Sequence, residues 1–377
     1  MTTPRQEVCR STAEAIRRAA PGLASMKAVL GFDGFVDEII AVVDKRHGPD
    51  SFEPVESIAA MARKILGAAG ESSNYELVVK QRKLGGNGPI MANALASLGL
   101  DVTYIGNLGY PDVHLAFRDF AARAKVITIA EPGHTDALEF ADGKLMLGKT
   151  QTLADVNWET LVERVGKRQL IDLMAGATLI GTVNWTMLPR LGEVWDRLLE
   201  EVFPALPEGH RTLYVDLADP EKRTREDLRG ALATVSRFQE HIDVILGMNL
   251  KEAAQVAEVL NLPDRADREA TIEEDAAAIR RALSLHCVVI HPRKSAAAAI
   301  EGESVRFPGP FVQNPLISTG AGDHFNSGFC LARVLGFGLE QSLCAGVAAS
   351  GYYVRTAHSP TAVELAGFID ELPPPEG

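Results

Sequence analysis

Cysteine, long apolar runs and basic residues are all scarce in this chain, and each scarcity excludes a class of protein. The four cysteines of the 377 residues, Cys9, Cys287, Cys330 and Cys344, form no CxxC pair. A disulfide-stapled secreted scaffold and a cysteine-based zinc module are thereby disfavoured, and buried free thiols are the expectation. No uninterrupted apolar run reaches the roughly 18 residues of a membrane span. The N-terminal MTTPRQEVCRSTAEAIRRAAPGLAS has no apolar signal core and reads as a short amphipathic helix ended at Pro21. A cytoplasmic location is therefore expected. Lys and Arg number 38 against 50 Asp and Glu, a net charge of −12. Such a surface repels phosphate backbones and anionic lipid, so neither nucleic acid nor a membrane is an expected partner. The sequence also holds no GxxxxGK[ST] phosphate loop, no internal repeat and no low-complexity segment beyond the tail PPPEG, which reads as unstructured.

What is present is a 46% hydrophobic chain long enough to bury a substantial core. Length alone favours two domains, although one large α/β domain with an appendage fits as well. Short β-branched runs at 27–31 (KAVLG), 102–105 (VTYI), 178–180 (TLI), 212–216 (TLYVD), 244–246 (VIL) and 288–291 (VVIH) predict strands. Helical patterns lie between them, at 90–98, 191–203, 225–237 and 252–259. Near-continuous apolar strands alternating with helices predict an α/β fold, a mainly parallel sheet covered on both faces. Two stretches break the rhythm. Residues 34–84 mix a strand-like FVDEIIAVV, a polar turn and a helix near 57–68, and residues 135–149 read as a hairpin turned by Asp142-Gly143. Both are read as a small β-rich flap on one side of the main sheet, with plain surface decoration as the bland alternative.

The sharpest local signal is 317–329, ISTGAGDHFNSGF. Small residues at Thr319-Gly320-Ala321-Gly322-Asp323 allow successive amides to point into one concavity, and a helix starting there adds its positive end, a site for a phosphate or a developing anion. Asp323 has two readings. As an N-cap it satisfies free amides; as a general base it takes a proton from an attacking hydroxyl. The segment 85–99, GGNGPIMANALASLG, sets a glycine pair before an alanine-rich helix. In GMNLKEAA, Asn249 and Glu252 are three apart, which suits either a capping box or oxygen ligation of Mg²⁺ through water. The first strand runs into Gly31-Phe32-Asp33-Gly34-Phe35-Val36-Asp37, so Asp33 and Asp37 lie where parallel strands open onto ligand crevices. A dehalogenase-type phosphatase is excluded, because the position of its nucleophile, two before Asp33, is Gly31. Asn184-Trp185, Asp216 and Asp219 also follow predicted strands, with a core Trp as the bland reading. His286, His291, His324 and His358 have no zinc spacing.

Together these segments resemble the PfkB (ribokinase-like) carbohydrate kinase family. The glycine pair with its helix, the G-x-x-G and acidic residue of IGNLGYPD, N-x-x-E and TGAGD occur in that family's order over most of the chain. Two departures stand out: Ile317 and Ile90 occupy positions where the family usually has Asp and Asn. The resemblance implies a single ribokinase-like kinase domain over 1–377 with lid insertions at about 34–84 and 135–149. It implies transfer of the γ-phosphate of ATP to a hydroxyl of a sugar or sugar-like molecule. Asp323 would be the base, and Gly320, Ala321 and Gly322 the anion hole. Asn249, Glu252 and Thr319 would lie on the nucleotide side, Asn249 and Glu252 organising Mg²⁺ through water. Asp33, Asp37, Gly85, Gly86, Asn87 and Asn184 would face the substrate, with Asp37 the better match to the family's substrate-binding Asp by its following Ile39-Ile40 and Asp33 the second candidate. Lid contacts of the family's kind would make a homodimer. A nucleoside acceptor, an ADP donor and a non-catalytic sugar or nucleotide sensor are the alternatives that remain.

Overall fold

The six β-branched runs all become strands of one sheet, and their burial explains why. The computed structural model describes residues 3–375. Its strands are β1 (Lys27–Phe32), β2 (Phe35–Gly48), β3 (Ser51–Pro54), β4 (Leu77–Gly85), β5 (Asp101–Gly106), β6 (Lys125–Thr128), β7 (Gly133–Phe140), β8 (Gly143–Lys149), β9 (Leu179–Val183), β10 (Thr212–Asp216), β11 (Asp243–Met248), β12 (Cys287–Ile290), β13 (Ser295–Ile300) and β14 (Glu303–Pro308). The main sheet has the order β14-β13-β12-β11-β10-β9-β1-β5-β6. It is parallel from β12 through β6, and β13 and β14 add an antiparallel edge. Alternate residues enter different cores. Leu213 and Val215 of β10 pack with Trp195 and Phe238 on one face, whereas Tyr214 packs with Phe329 and Leu343 on the other. A sheet buried on both faces requires apolar side chains at both phases of the strand period, hence the continuous apolar runs.

Sequence reading assigned no strand to β6, β13 or β14. The run Ser295–Ile300 (SAAAAI) has helical propensity, yet Ala296, Ala297, Ala298 and Ala299 are all fully buried in the sheet. Tertiary packing overrides a propensity of only a few tenths of a kcal/mol per residue.

The second sheet has the order β3-β2-β7-β8, with β4 also on β2. Its own small core joins Ile40, Val42, Leu138 and Phe140 to Met61 of the helix Ile58–Gly67. Phe140 pairs with Gly143, so the hairpin turn is Ala141-Asp142, one residue earlier than expected. Asp142 is used differently: its carboxylate accepts the N–H of Ile58 at 2.8 Å and ties that helix to the hairpin.

The N-terminal helix runs Pro4–Ala19, followed by a 3-10 segment, Ala20–Ser25, that takes Pro21 into its first turn. All four cysteines are buried and free. Of the tail, Pro373 accepts a hydrogen bond from Arg5 at 2.7 Å, and the last two residues lie outside the described ones. Among the described residues no helix is long and apolar enough to cross a membrane.

Candidate active site

The order of the main sheet locates the site. From β1 the chain builds outward on one side through β5 and β6, then returns to build β9 to β12 on the other. Loops after strands flanking such a reversal diverge and leave a crevice at their carboxyl ends. Asp33 follows β1, Asn184 follows β9, Asp216 ends β10, Asn249 follows β11 and His291 follows β12. The cavity formed there, about 290 Å³, is lined by Asn87, Asn184, Asp216, Asn249, Glu252 and Asp323 among others.

Asp33 is wholly buried and accepts hydrogen bonds from the Gly88 amide at 2.9 Å and Asn184 Nδ2 at 2.7 Å. Burial pushes its carboxyl up to about 6, and those donors hold it from rising further. The glycine pair makes room for carboxylates. A Cβ on Gly86 would lie 2.7 Å from Asp33 Oδ2, and one on Gly85 2.5 Å from the Asp37 carboxylate. Gly86 also has φ +93°, a region that disfavours any side chain. Asn184 adopts φ 62°, tolerable for Asn, and its buried Oδ1 has no partner among the described residues. An orphaned buried acceptor beside Asp33 is what a hydroxyl-bearing ligand would satisfy. Its neighbour Trp185 is a core residue, with the Arg223 guanidinium 4.9 Å from its ring centre.

Asp37 is separate from this group. It lies in the second sheet, bonded by Thr135, and lines a neighbouring cavity of about 200 Å³ with Lys83, Thr319 and His324. Burial raises its carboxyl as well. Thr319 is thus placed behind the turn, with its carbonyl accepting from the Tyr353 hydroxyl at 3.1 Å.

Gly320, at φ 89°, is the N-cap of the helix Ala321–Val334. Asp323 is therefore inside the first turn and is not the cap. The Ala321 amide is engaged by Ser318 O at 3.2 Å, whereas no acceptor is found for the Gly320 and Gly322 amides among the described residues. Asp323 is 5% exposed, and Asn87 Nδ2 donates to its Oδ1 at 3.1 Å. Burial pushes the Asp323 carboxyl up to about 8; Asn87 opposes the rise, while the charges of Asp33 and Glu252 add to it.

Asn249 and Glu252 make the capping box. Asn249 Oδ1 accepts the Glu252 amide at 3.0 Å, and Glu252 Oε2 accepts the Asn249 amide at 2.8 Å. Glu252 Oε1 accepts the Asp219 amide at 2.8 Å. Asp216 is held by the Ala218 amide at 2.8 Å and by Asn326 Nδ2 at 3.0 Å. Burial, then the Glu252 and Asp323 charges, push Asp216 well above the usual carboxylate range. Asn326 escaped sequence reading; its position one helical turn after Asp323 is the signal that marks it.

A larger cleft of about 400 Å³ adjoins the cavity and shares Asn249, His291 and Gly322 with it; Phe311, Ser350 and Val354 line its outer part. The glycine turn therefore stands where two cavities meet.

A model of the prokaryotic ketohexokinase family matches residues 6–372. The chain is 32% identical over 372 residues to a ketohexokinase of Haloferax volcanii, covering 98% of this chain and 97% of that one. Among solved structures, a carbohydrate kinase from Agrobacterium tumefaciens superposes with a TM-score of 0.63 at 17% identity, covering 93% of this chain and 98% of its own. A ribokinase of Arabidopsis thaliana, complexed with ribose and ATP, gives 0.61 at 16% identity, covering 92% and 99%. These neighbours show that the fold is ribokinase-like. The chain belongs to the prokaryotic ketohexokinase family, within the PfkB carbohydrate kinases, and is an ATP-dependent sugar kinase.

Proposed function

We propose that the acceptor is a ketohexose, held in the smaller cavity by Asp33, Asn87 and Asn184 beside the Gly85-Gly86 pair, and that ATP occupies the larger cleft. Asp323 takes the proton of one acceptor hydroxyl. That oxygen bonds to the γ-phosphorus, the bond from γ-phosphorus to the β,γ-bridging oxygen breaks, and ADP leaves. The Gly320 and Gly322 amides and the helix N-terminus face the charge that spreads over the transferring group. The observation that carries this reading is Asp323 itself: a buried carboxyl lining the smaller cavity, held by Asn87 and next in the chain to Gly322, which lines both cavities. The name of the Haloferax volcanii relative supports the ketohexose.

The donor set fits Mg²⁺ held through water. Asp216, Glu252 and Asp323 crowd one cavity, where the charges of Glu252 and Asp323 raise Asp216 and that of Glu252 raises Asp323, so their environment favours a cation. Both Glu252 oxygens already accept main-chain amides, and among the described residues no group of three His, Cys, Asp or Glu could ligate a metal directly. Asn249, Glu252 and Asp216 would hold the ion's water shell, and its chemistry would be neutralisation of phosphate charge. The second sheet is proposed as a lid. Its strands β2 and β4 begin and end next to Asp33 and to the Gly85-Gly86 pair that precedes Asn87 of the cavity, and its closure would exclude water that competes for the phosphoryl group.

With Mg-ATP, fructose is expected to be turned over in preference to glucose, ribose and adenosine; turnover of adenosine alone would move the reading to a nucleoside kinase. A pH profile provides a second check. The base works only when ionised, and burial has moved its ionisation upward, so kcat/KM should rise with pH and level off above about 8. Below that it should fall about tenfold per pH unit. A limb near pH 4 would mean that another group is the base.

A further inference from the structure

His324 follows Asp323 in the chain yet faces away from it. Its buried ring places Nδ1 2.7 Å from Gly320 O and Nε2 2.9 Å from Ser359 Oγ. A carbonyl oxygen only accepts, so Nδ1 carries the proton and the Nε2 lone pair accepts the Ser359 hydroxyl. Ser359 is held in turn: Asn93 Nδ2 donates to its Oγ at 3.3 Å, and Ser97 Oγ donates to its carbonyl at 3.0 Å. The imidazole stacks on Tyr353 with centroids 3.6 Å apart and planes 11° from parallel. The hydroxyl of Tyr353 donates to Thr319 O.

Two successive carbonyls of the glycine turn, Thr319 and Gly320, are thus each held by one member of a stacked pair. In a planar trans peptide the N–H points opposite to the preceding C=O. Anchoring Thr319 O therefore aims the Gly320 N–H the other way, toward the cavity. Anchoring Gly320 O fixes the peptide that leads into the first helical turn, where Gly322 and Asp323 lie. We propose that His324 is a positioning residue for phosphoryl transfer: with Tyr353 and Ser359 it holds the carbonyl side of the turn so that the opposite, amide side keeps the geometry the transition state needs. This rests on the kinase reading above. Burial pushes the imidazole down to about 4, so it is neutral at any ordinary assay pH and its tautomer is set by its partners.

His324→Phe keeps a ring to stack on Tyr353 and removes both hydrogen bonds. Its kcat for fructose is expected to fall about 30- to 100-fold, because small displacements of preorganised donors are costly. KM for fructose and for ATP should stay within about threefold of wild type, since ground-state contacts are untouched. His324→Asn, which keeps a donor near the Nδ1 position, should recover kcat to within about fivefold of wild type. Tyr353→Phe, which removes one hydroxyl, covers the case in which His324→Phe does not fold; its kcat should fall about fivefold with KM unchanged. Nitrogen spectra of ¹⁵N-histidine-labelled protein should show a neutral Nδ1–H imidazole that disappears in His324→Asn. Unchanged kcat in both His324→Phe and Tyr353→Phe, or an Nε2–H imidazole for His324, overturns the proposal. If wild type turns over no sugar, it is the kinase reading that fails, and the tautomer measurement still decides the geometry.

Discussion

Asp323→Asn is expected to lower kcat by about 10²- to 10⁴-fold, the range of general base catalysis, while dissociation constants for sugar and nucleotide change by less than about threefold. Asn preserves the shape of the side chain and an Oδ1 to accept from Asn87, so the pocket survives. What disappears is the ability to take a proton. Stability should move the other way. Burial raises the Asp323 carboxyl from 3.8 to about 8, so ionising it is harder in the folded chain than in the unfolded one. The native state therefore loses stability as pH rises from about 4 to about 8, and the amide is free of that loss. Asp323→Asn should melt at the same temperature as wild type near pH 4 and higher than wild type at pH 8. The decisive measurements are single-turnover kinetics with ATP and fructose and calorimetric titration of each ligand. Retention of more than a tenth of wild-type kcat would remove Asp323 from the role of base.

Gly86→Ala is expected to destabilise the fold by about 2–4 kcal/mol and to weaken sugar binding as well. Two costs combine. The backbone has φ +93°, and the new Cβ would lie 2.7 Å from Asp33 Oδ2 and 3.2 Å from Pro89 Cδ. Asp33 cannot retreat easily, because the Gly88 amide and Asn184 hold it in a fully buried place. Gly302→Ala separates the two costs: Gly302 has φ +76° but nothing within 4 Å of a Cβ, so its replacement should cost about 1 kcal/mol. Urea unfolding of both variants measures the difference. Equal losses would show that the collision with Asp33 is absorbed by relaxation.

Some of the candidate site was legible from spacing, and some was not. The glycine turn, Asp323 and the glycine pair were visible because glycine leaves a compositional mark wherever backbone and ligand, or backbone and carboxylate, approach closely. Asn249 and Glu252 were visible as a capping box. Of the two acids after β1, the resemblance favours Asp37 over Asp33 for the Ile39-Ile40 that follows it, because a strand-end argument alone does not distinguish positions four apart. The structure separates them by pairing Asp37 into the second sheet while Asp33 is buried directly behind Asn184, which lines the crevice and donates to it. Asn326, Tyr353 and Ser359 left no mark, since an Asn, a Tyr or a Ser on a helix or at its end is ordinary until something is found to face it. His324 has no zinc spacing in the sequence, and only the fold brings its ring onto Gly320 O and Ser359 Oγ.

By itself the sequence determined the class of fold and the order of the chemistry along it. Apolar runs without polar alternation can be satisfied only by a sheet covered on both faces, and turns that need small residues must use them. Both are local constraints that show in a single chain. Tertiary structure alone decided which carboxylates share a cavity, which of them burial keeps unionised, and that alanine-rich β13 is a strand. Those outcomes depend on distances between residues far apart in the chain: Asp33 and Asn184 are 151 positions apart, Asn87 and Asp323 236. The ionisation of each group follows from the solvent and charges its distant neighbours leave it.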